Sequence, residues 1–442
     1  MEKSSSPQEE GKLSRTLTPL MLWGLGVGYV ISGMYFGWNL GLEKGGTMGL
    51  AIATLLIIIL YITFTFSYAE LASALPQAGG GFDYTRRAFG DIWGFLAGMA
   101  QNIEFIFAPP AIAFAIGAYF NLFFPSIPSL VIAIVSYIIF TLLNIRGVKI
   151  SALFELGITL FAVGELLLFA GITLPHFSKE AFFENSLPNG ISGIFAVLPF
   201  AIWFFLGLEG VANVAEETIN PQRTIIRGFS SALFTLVVLC LLVFAGAVGV
   251  DGWENIVYKE DGSTSDSPLP LALISIVGDK NLLYHLLITI GLFGLVASFH
   301  GLILAAGRAS YEFGKVRFAP PFFGKIHPHF HTPANALLLN MGIGIFALLT
   351  GKTAEIITIA VFGALFLYLF SMISMVKLRK TEPDLPRPFS VPFYPLFPFT
   401  ALVITIVALM AMIVFNFYLF LLFFVIMSIC LLLFLRFKKS IS

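Results

Sequence analysis

Three acidic side chains stand inside long apolar stretches of this 442-residue sequence: Glu104, Glu165 beside Leu166-Leu167-Leu168, and Glu209 between Leu208 and Gly210. A charge at the centre of a bilayer costs about 2.5–3.5 kcal/mol on insertion scales, so three such acids ask for a reason. They can hold a cation or a proton, or stay neutral and hydrogen-bonded within a helix bundle. His300, in Phe299-His300-Gly301, adds an imidazole to another apolar run. Histidine titrates near neutral pH, so it is a candidate to carry a coupling proton or orient a substrate hydroxyl, and equally a satisfied packing residue. Trp203 precedes the Gly207–Gly210 stretch, and its ring face would attract a cation or simply pack. Nothing supports catalysis: the sequence has no GxSxG, no HExxH and no phosphate-cradling loop. No cofactor or metal is expected.

The elements that must position these residues follow from composition. Hydrophobic residues make up 58% and charged residues 11% of the chain, against about a quarter charged in soluble domains. A helix needs about 20 apolar residues to cross the hydrocarbon core. On that basis spans fall near 18–42, 48–74, 92–121, 126–145, 149–174, 191–216, 225–250, 282–313, 333–350, 354–378, 394–415 and 417–436. Lipid leaves no backbone group unpaired, and the runs are too uniformly apolar for barrel strands, so the expected fold is all-α and polytopic. The domain plan is a tail at 1–17, one transmembrane domain at 18–436 and a tail at 437–442. The polar start, Met1 to Arg15, does not read as a cleavable signal peptide.

Orientation follows from the 25 basic residues. With the N-terminus inside, only Lys44, Lys179, Lys259, Lys280 and Lys352 fall outside, leaving 20 on the inner side, so both termini are expected in the cytoplasm. The long outer loop, Asp251 to Lys280, is acidic and Ser-rich and is expected to be exposed. The net charge of +0 and the lack of a basic block argue against nucleic acid as a partner. Cys240 and Cys430 lie in apolar runs and read as small packing residues.

Two spans carry clustered glycines. The first reads Gly24-Leu25-Gly26-Val27-Gly28 through Ile31-Ser32-Gly33 to Gly37, and the sixth reads Gly207-Leu208-Glu209-Gly210. Paired interruptions five spans apart are what a five-plus-five inverted repeat with broken first and sixth helices would produce, the site lying between them at the midplane. The repeats would be 18–174 and 191–378, with two trailing helices at 394–436. Close helix packing through small residues is the alternative.

Four stretches carry a family resemblance. They are Tyr68-Ala69-Glu70-Leu71 through Leu75-Pro76-Gln77-Ala78-Gly79-Gly80-Gly81 to Arg86-Arg87-Ala88-Phe89-Gly90, then Glu216 to Arg223, Gly324-Lys325-Ile326-His327-Pro328 with Thr332-Pro333, and Pro383 to Phe389. In this order they resemble the amino acid-polyamine-organocation superfamily over nearly the whole chain. Ile31 to Asn39, Ala108-Pro109-Pro110-Ala111-Ile112-Ala113 and Ala297-Ser298-Phe299-His300-Gly301 resemble, more narrowly, the ethanolamine permeases. The resemblance implies alternating access in a bacterial inner membrane and a small organic amine as substrate, an amino acid carrier or exchanger being the rival. A receptor that keeps the fold without turnover is a rival of another class. It also implies Trp203 as an aromatic gate and Ile31, Ser32, Gly33, Glu104, Gly207, Glu209, Gly210 and Phe299 as substrate-site residues.

One departure is informative. Amino acid carriers of this superfamily usually show Gly-Ser-Gly at the first break, where backbone N–H groups hold a carboxylate. Here Ile31-Ser32-Gly33 should restrict that anion nest, which suits an ammonium substrate without a carboxylate; the counter-reading is that a neighbouring N–H serves equally well. Glu104, just before an expected break at Ala108-Pro109-Pro110, leads as the amine's partner. Glu165 and His300 are the proton-coupling candidates, with sodium left open as the ion. Glu155 and Glu355, near span ends, are expected at the interface or against a partner residue, and Glu70 with Arg86 and Arg87 reads as a lock of the cytoplasmic loop. His327, His329 and His331 read as loop residues rather than metal ligands.

Overall fold

A computed structural model describes residues 15–77, 79–147 and 152–441. Most of the expected N-terminal tail, with Lys3 and Lys12, lies outside the described residues, as do Ala78 and Lys149. The described chain is helical, with only isolated bridges at Leu17–Thr218 and Tyr258–Thr264.

Each of the twelve apolar stretches is built on helix. They are α1 (Pro19–Val30), α2 (Leu42–Ala74), α3 (Asp91–Phe123), α4 (Ser129–Ile145), α5 (Ala152–Thr173), α6 (Leu198–Trp203), α7 (Pro221–Asp251), α8 (Leu282–Lys315), α9 (Ala334–Leu348), α10 (Thr353–Thr381), α11 (Leu396–Phe415) and α12 (Phe417–Ile441). Eight described helical segments are long and apolar enough to cross a membrane; α1, α4 and α9 are shorter apolar helices, and the sixth stretch is in pieces. The helix starts follow local chemistry. Thr18 accepts a hydrogen bond from Met21 N–H ahead of Pro19, and Asn281 does the same for Leu283 ahead of α8. α12 continues through the expected tail to Ile441.

Burial orders the bundle. The apolar window of α3 is 89% buried and that of α10 78%, whereas α12 is only 17% buried. α3 and α10 pack on each other at Gly363, where a Cβ would sit 2.5 Å from the Ala100 carbonyl and 2.8 Å from Glu104 N. No side chain larger than hydrogen fits there, so the two helices approach on their backbones around Glu104. α12 shows its exposed face as Phe424, Val425, Ile429, Leu432 and Leu433, as a lipid-facing helix should.

Three expectations need correction. α3 runs unbroken through Pro109 and Pro110. These prolines withhold the N–H groups that the Phe105 and Ile106 carbonyls would use, yet both are buried, and enclosing helices hold the segment helical. In the first span, Ile31 keeps helical angles and its N–H reaches Val27 C=O at 2.8 Å; a second short helix, Ser32–Tyr35, follows. The chain leaves the helix only at Phe36, which is extended, and at Gly37, with φ 90. The loop from Asp251 to Lys280 is also less open than its composition suggests. It carries the helices Glu254–Val257 and Pro268–Val277, and Asn39 reaches into it to donate to Ser265 C=O at 2.8 Å, so Ser265 and Ser267 are buried.

Candidate substrate site

The sixth stretch shows why Gly207 is a glycine. α6 ends at Trp203, the chain turns through Phe204 to Gly207, and a 3-10 segment, Leu208–Glu217, resumes. Gly207 has φ 95, a left-handed conformation that other residues adopt at a steric cost. The reversal sets Glu209 fully inside the bundle, where the Tyr368 hydroxyl donates to its Oε2 at 2.8 Å. Tyr368 also shares a 2.9 Å hydrogen bond with Tyr61 of α2.

Glu104 meets this segment from α3. Its side chain is fully buried and lies against Glu209 and the Gly207 N–H. Neither Glu104 oxygen, nor Oε1 of Glu209, has a protein donor at full hydrogen-bond geometry. The same approach brings the Phe105 ring to 3.8 Å from where a Cβ on Gly210 would lie. Two buried carboxyl groups therefore face one another with three of four oxygens uncapped. Nearby on these elements the described titratable groups are Tyr61, Tyr68 and Tyr368, with no lysine, arginine or histidine among them. Such a pair suits a cation, because each buried lone pair left unused carries a desolvation cost.

The first helix crosses the sixth directly above this pair. A Cβ on Gly33 would lie 2.5 Å from the Trp203 carbonyl and 3.2 Å from Phe204 Cα. Trp203 Nε1 donates to Phe36 C=O at 3.0 Å, its ring meets Phe36 edge-on at 5.5 Å, and Trp38 stacks on Phe204 at 5.5 Å. These contacts close the side bearing the loop from Asp251 to Lys280. Beneath them Val30, Ser32, Ala108, Trp203, Leu206 and Leu302 enclose a void of about 10 Å³, roughly one water's worth. Ile31 is fully buried beside it.

The opposite side is open. A vestibule of about 890 Å³ is lined by residues that include Gln101, Asn102, Gly210, Asn213 and Arg308, and Tyr29 stands at its deep end. The Tyr29 ring wedges between Gly210 and Gly301, at 3.2 Å and 2.8 Å from the Cβ positions of the two glycines. Both described chain ends attach around the vestibule's mouth: Thr16 N–H donates to Glu217 C=O at 2.9 Å and Lys438 Nζ meets Asp91 at 2.8 Å. The rim carries charges of both signs, Arg86, Arg87, Arg308 and Lys315 with Asp83, Asp91, Glu217 and Glu312, and Arg87 holds Glu382 below the usual carboxylate range through a 2.7 Å ion pair.

Other candidates lie elsewhere. Glu165 accepts a 2.6 Å hydrogen bond from Tyr35, which joins the outer part of the first stretch to α5. Phe299 and His300 face α4: Phe299 packs on Tyr137 at 5.3 Å, and His300 Nδ1 bonds the Asn144 amide at 3.1 Å. Glu155 is buried rather than interfacial, because it shares a face of α5 with Thr159 four residues on, against Gly28 of α1. Glu355 fits the expectation, pairing with Lys352 at 3.4 Å near the surface. Glu70, near the C-terminal end of α2, does not pair with Arg86 or Arg87; its partners are Arg379 at 2.8 Å, Val391 N–H at 2.7 Å and Arg387 at 3.4 Å, while Arg86 pairs with Asp91 and Arg87 with Glu382. Sequence reasoning gave no role to Tyr29, Tyr368 or Ser298; Ser298 Oγ donates to Tyr29 C=O at 2.7 Å and bonds Ser32 Oγ at 2.8 Å, tying the interrupted first helix to α8. The glycines that receive the Tyr29 ring, Gly210 and Gly301, were the available signal for that residue.

Known proteins agree with a transporter of this build. The chain is 28% identical over 408 residues to an uncharacterized transporter of Rhizobium meliloti, covering 89% of this chain and 85% of that protein. It is 26% identical to the serine/threonine exchanger SteT of Bacillus subtilis, with 88% of each chain covered. The low-affinity putrescine importer PlaP of Escherichia coli is also 26% identical, over 83% of this chain and 81% of its own. A family model described as "Amino acid permease" matches residues 17–429. The chain is therefore a multi-pass membrane transporter, not an enzyme, and belongs to the amino acid permease family.

Proposed function

We propose that this permease carries a small organic amine, ethanolamine foremost, by alternating access, in a bacterial inner membrane with both termini in the cytoplasm. The twelve stretches are read as two inverted five-helix repeats, 18–174 and 191–378, with 394–436 trailing. The observation that carries the substrate class is the carboxyl pair Glu104–Glu209, with three buried oxygens lacking a well-aligned donor and no basic side chain beside it among the described residues. An ammonium group would supply the missing donors, and the Phe105 and Ile106 carbonyls, freed by Pro109 and Pro110, lie on the neighbouring turn. Ile31, Ser32 and Gly33 with Gly207 and Gly210 shape the site, and Trp203 closes it from outside. Phe299 contributes through the wall it forms with α4. The relative named a putrescine importer is in keeping with an amine cargo.

The test is Glu104→Gln in purified protein. Removing one partner of a buried charge pair costs about 3–5 kcal/mol, so ethanolamine binding should weaken by at least 100-fold while the protein level stays near wild type. Unchanged affinity in well-folded Glu104→Gln protein refutes the pairing. A second reading, an amino acid carrier or exchanger, is favoured by the relative named a serine/threonine exchanger. Serine is ethanolamine with an added carboxylate, so the two compounds separate the readings on one chemical group.

A further inference from the structure

We infer that the coupling proton and the substrate ammonium occupy the same place, the Glu104–Glu209 carboxyl pair, so that each amine bound displaces one proton. The inference rests on the amine reading above and specifies how the ion gradient enters it.

Charge counting within the bundle leads there. Two carboxyl groups in contact, both fully buried and with no basic side chain beside them among the described residues, cannot both be anionic, because the repulsion is scarcely screened at low dielectric. With no cation present, the pair reaches neutrality by carrying two protons. With one ammonium bound, neutrality needs one proton fewer. The pair thus exchanges a proton for the amine with no net change of charge at the midplane, which avoids the cost of an uncompensated ion there. The released proton leaves as hydronium or on buffer through the vestibule, whose deep end at Gly210 adjoins Glu209. No covalent bond other than the carboxyl O–H breaks.

The groups facing the pair support this assignment. Tyr61 and Tyr68 come from α2, Tyr368 from α10, and Tyr29 approaches Gly210 from α1. These are phenols, neutral at physiological pH, and Tyr368 and Tyr61 form a hydrogen-bonded chain that ends on Glu209. Arg308, in the vestibule, pairs with Glu217 at 3.5 Å. The two groups expected from sequence to handle protons are differently placed: Glu165 is occupied by the Tyr35 hydroxyl and His300 by Asn144.

The experiment is calorimetric binding of ethanolamine to the purified full-length protein in two buffers of different ionisation enthalpy, repeated at two pH values below neutrality. One proton per ethanolamine should be released, and the apparent Kd should rise about tenfold for each unit the pH is lowered, as proton linkage requires for one displaced proton. Ethanolamine binding with no proton release and no pH dependence overturns the shared-site inference while leaving the amine reading intact. No ethanolamine binding at all overturns both. Two variants locate the proton: by the same charge count Glu209→Gln leaves Glu104 to give up one proton per ethanolamine, so release that persists there and in Glu165→Gln supports the pair, whereas release that vanishes in Glu165→Gln while ethanolamine still binds moves the proton to α5 and overturns the assignment. If Glu209→Gln is poorly folded, Glu209→Asp keeps both carboxyls and should release one proton likewise, and wild-type protein alone decides whether release occurs.

Discussion

Replacing Gly33 with alanine perturbs the crossing on which this transporter's closed outer side depends. The added methyl carbon would lie 2.5 Å from the Trp203 carbonyl and 3.2 Å from Phe204 Cα. Both are backbone atoms, so no rotamer change relieves the clash; the first helix must separate from the sixth. Overpacking of this kind costs about 1–3 kcal/mol, which corresponds to a 5- to 150-fold loss of the conformer described here relative to any in which the two helices stand apart. The cost falls on a state that is sealed by Trp203 and Phe36 and open at the vestibule, so the population should shift toward outward opening. Thiol labelling of Asn213→Cys reads the open vestibule, since Asn213 lines it. Cys240 is buried and Cys430 only partly so, which makes Cys430→Ala the suitable background. Gly33→Ala should lower the labelling rate, by at most the same factor, and reduce ethanolamine uptake. Wild-type labelling and uptake in stable Gly33→Ala protein would refute the reasoning, since the helices would then have room that the geometry denies them.

Two further outcomes follow. Glu70→Gln should weaken the lock with Arg379, Arg387 and Val391: Glu70 is 2% exposed, and loss of one partner of a buried pair costs about 3 kcal/mol, so the apparent melting temperature in detergent should fall by roughly 5 °C, with non-additivity when Arg379→Gln is combined. In the outer loop, burial raises Asp266 to about 6, against its ordinary 3.8, although Thr353 donates to it at 3.1 Å. The folded state then binds the proton more tightly than the unfolded one, so its stability contribution is present below pH 3.8 and is lost as pH rises through 6; Asp266→Asn should flatten this slope in a melting-temperature profile from pH 4 to 7.

How much of this was legible in the sequence varied with the range of the interaction. Hydropathy placed each apolar stretch on helix, because helix-forming apolar runs are a local property, and eight of the described helices are long and apolar enough to cross a membrane. The glycine clusters marked both interruptions, and Gly207 sits where a left-handed turn is needed, but in the first span the departure lies at Phe36–Gly37 and not at Ile31-Ser32-Gly33. Gly33 is small there because Trp203 approaches it, a contact 170 residues away in sequence that no local pattern encodes. Glu104 and Glu209 each stood out as acids in apolar runs, whereas their pairing depends on how α3 meets the sixth stretch. Pro109-Pro110 misled for a related reason: two lost N–H groups break an isolated helix, but enclosure by the bundle overrides that preference. Glu155 misled because its position near a span end outweighed its helical spacing to Thr159, which turns it toward α1.

The central claim is that the cargo is an amine without a carboxylate. Uptake of radiolabelled ethanolamine and serine into proteoliposomes of the purified protein, under an imposed proton gradient, tests it directly. The account predicts saturable ethanolamine uptake that excess serine does not inhibit. Saturable serine uptake with ethanolamine neither transported nor competing would contradict it.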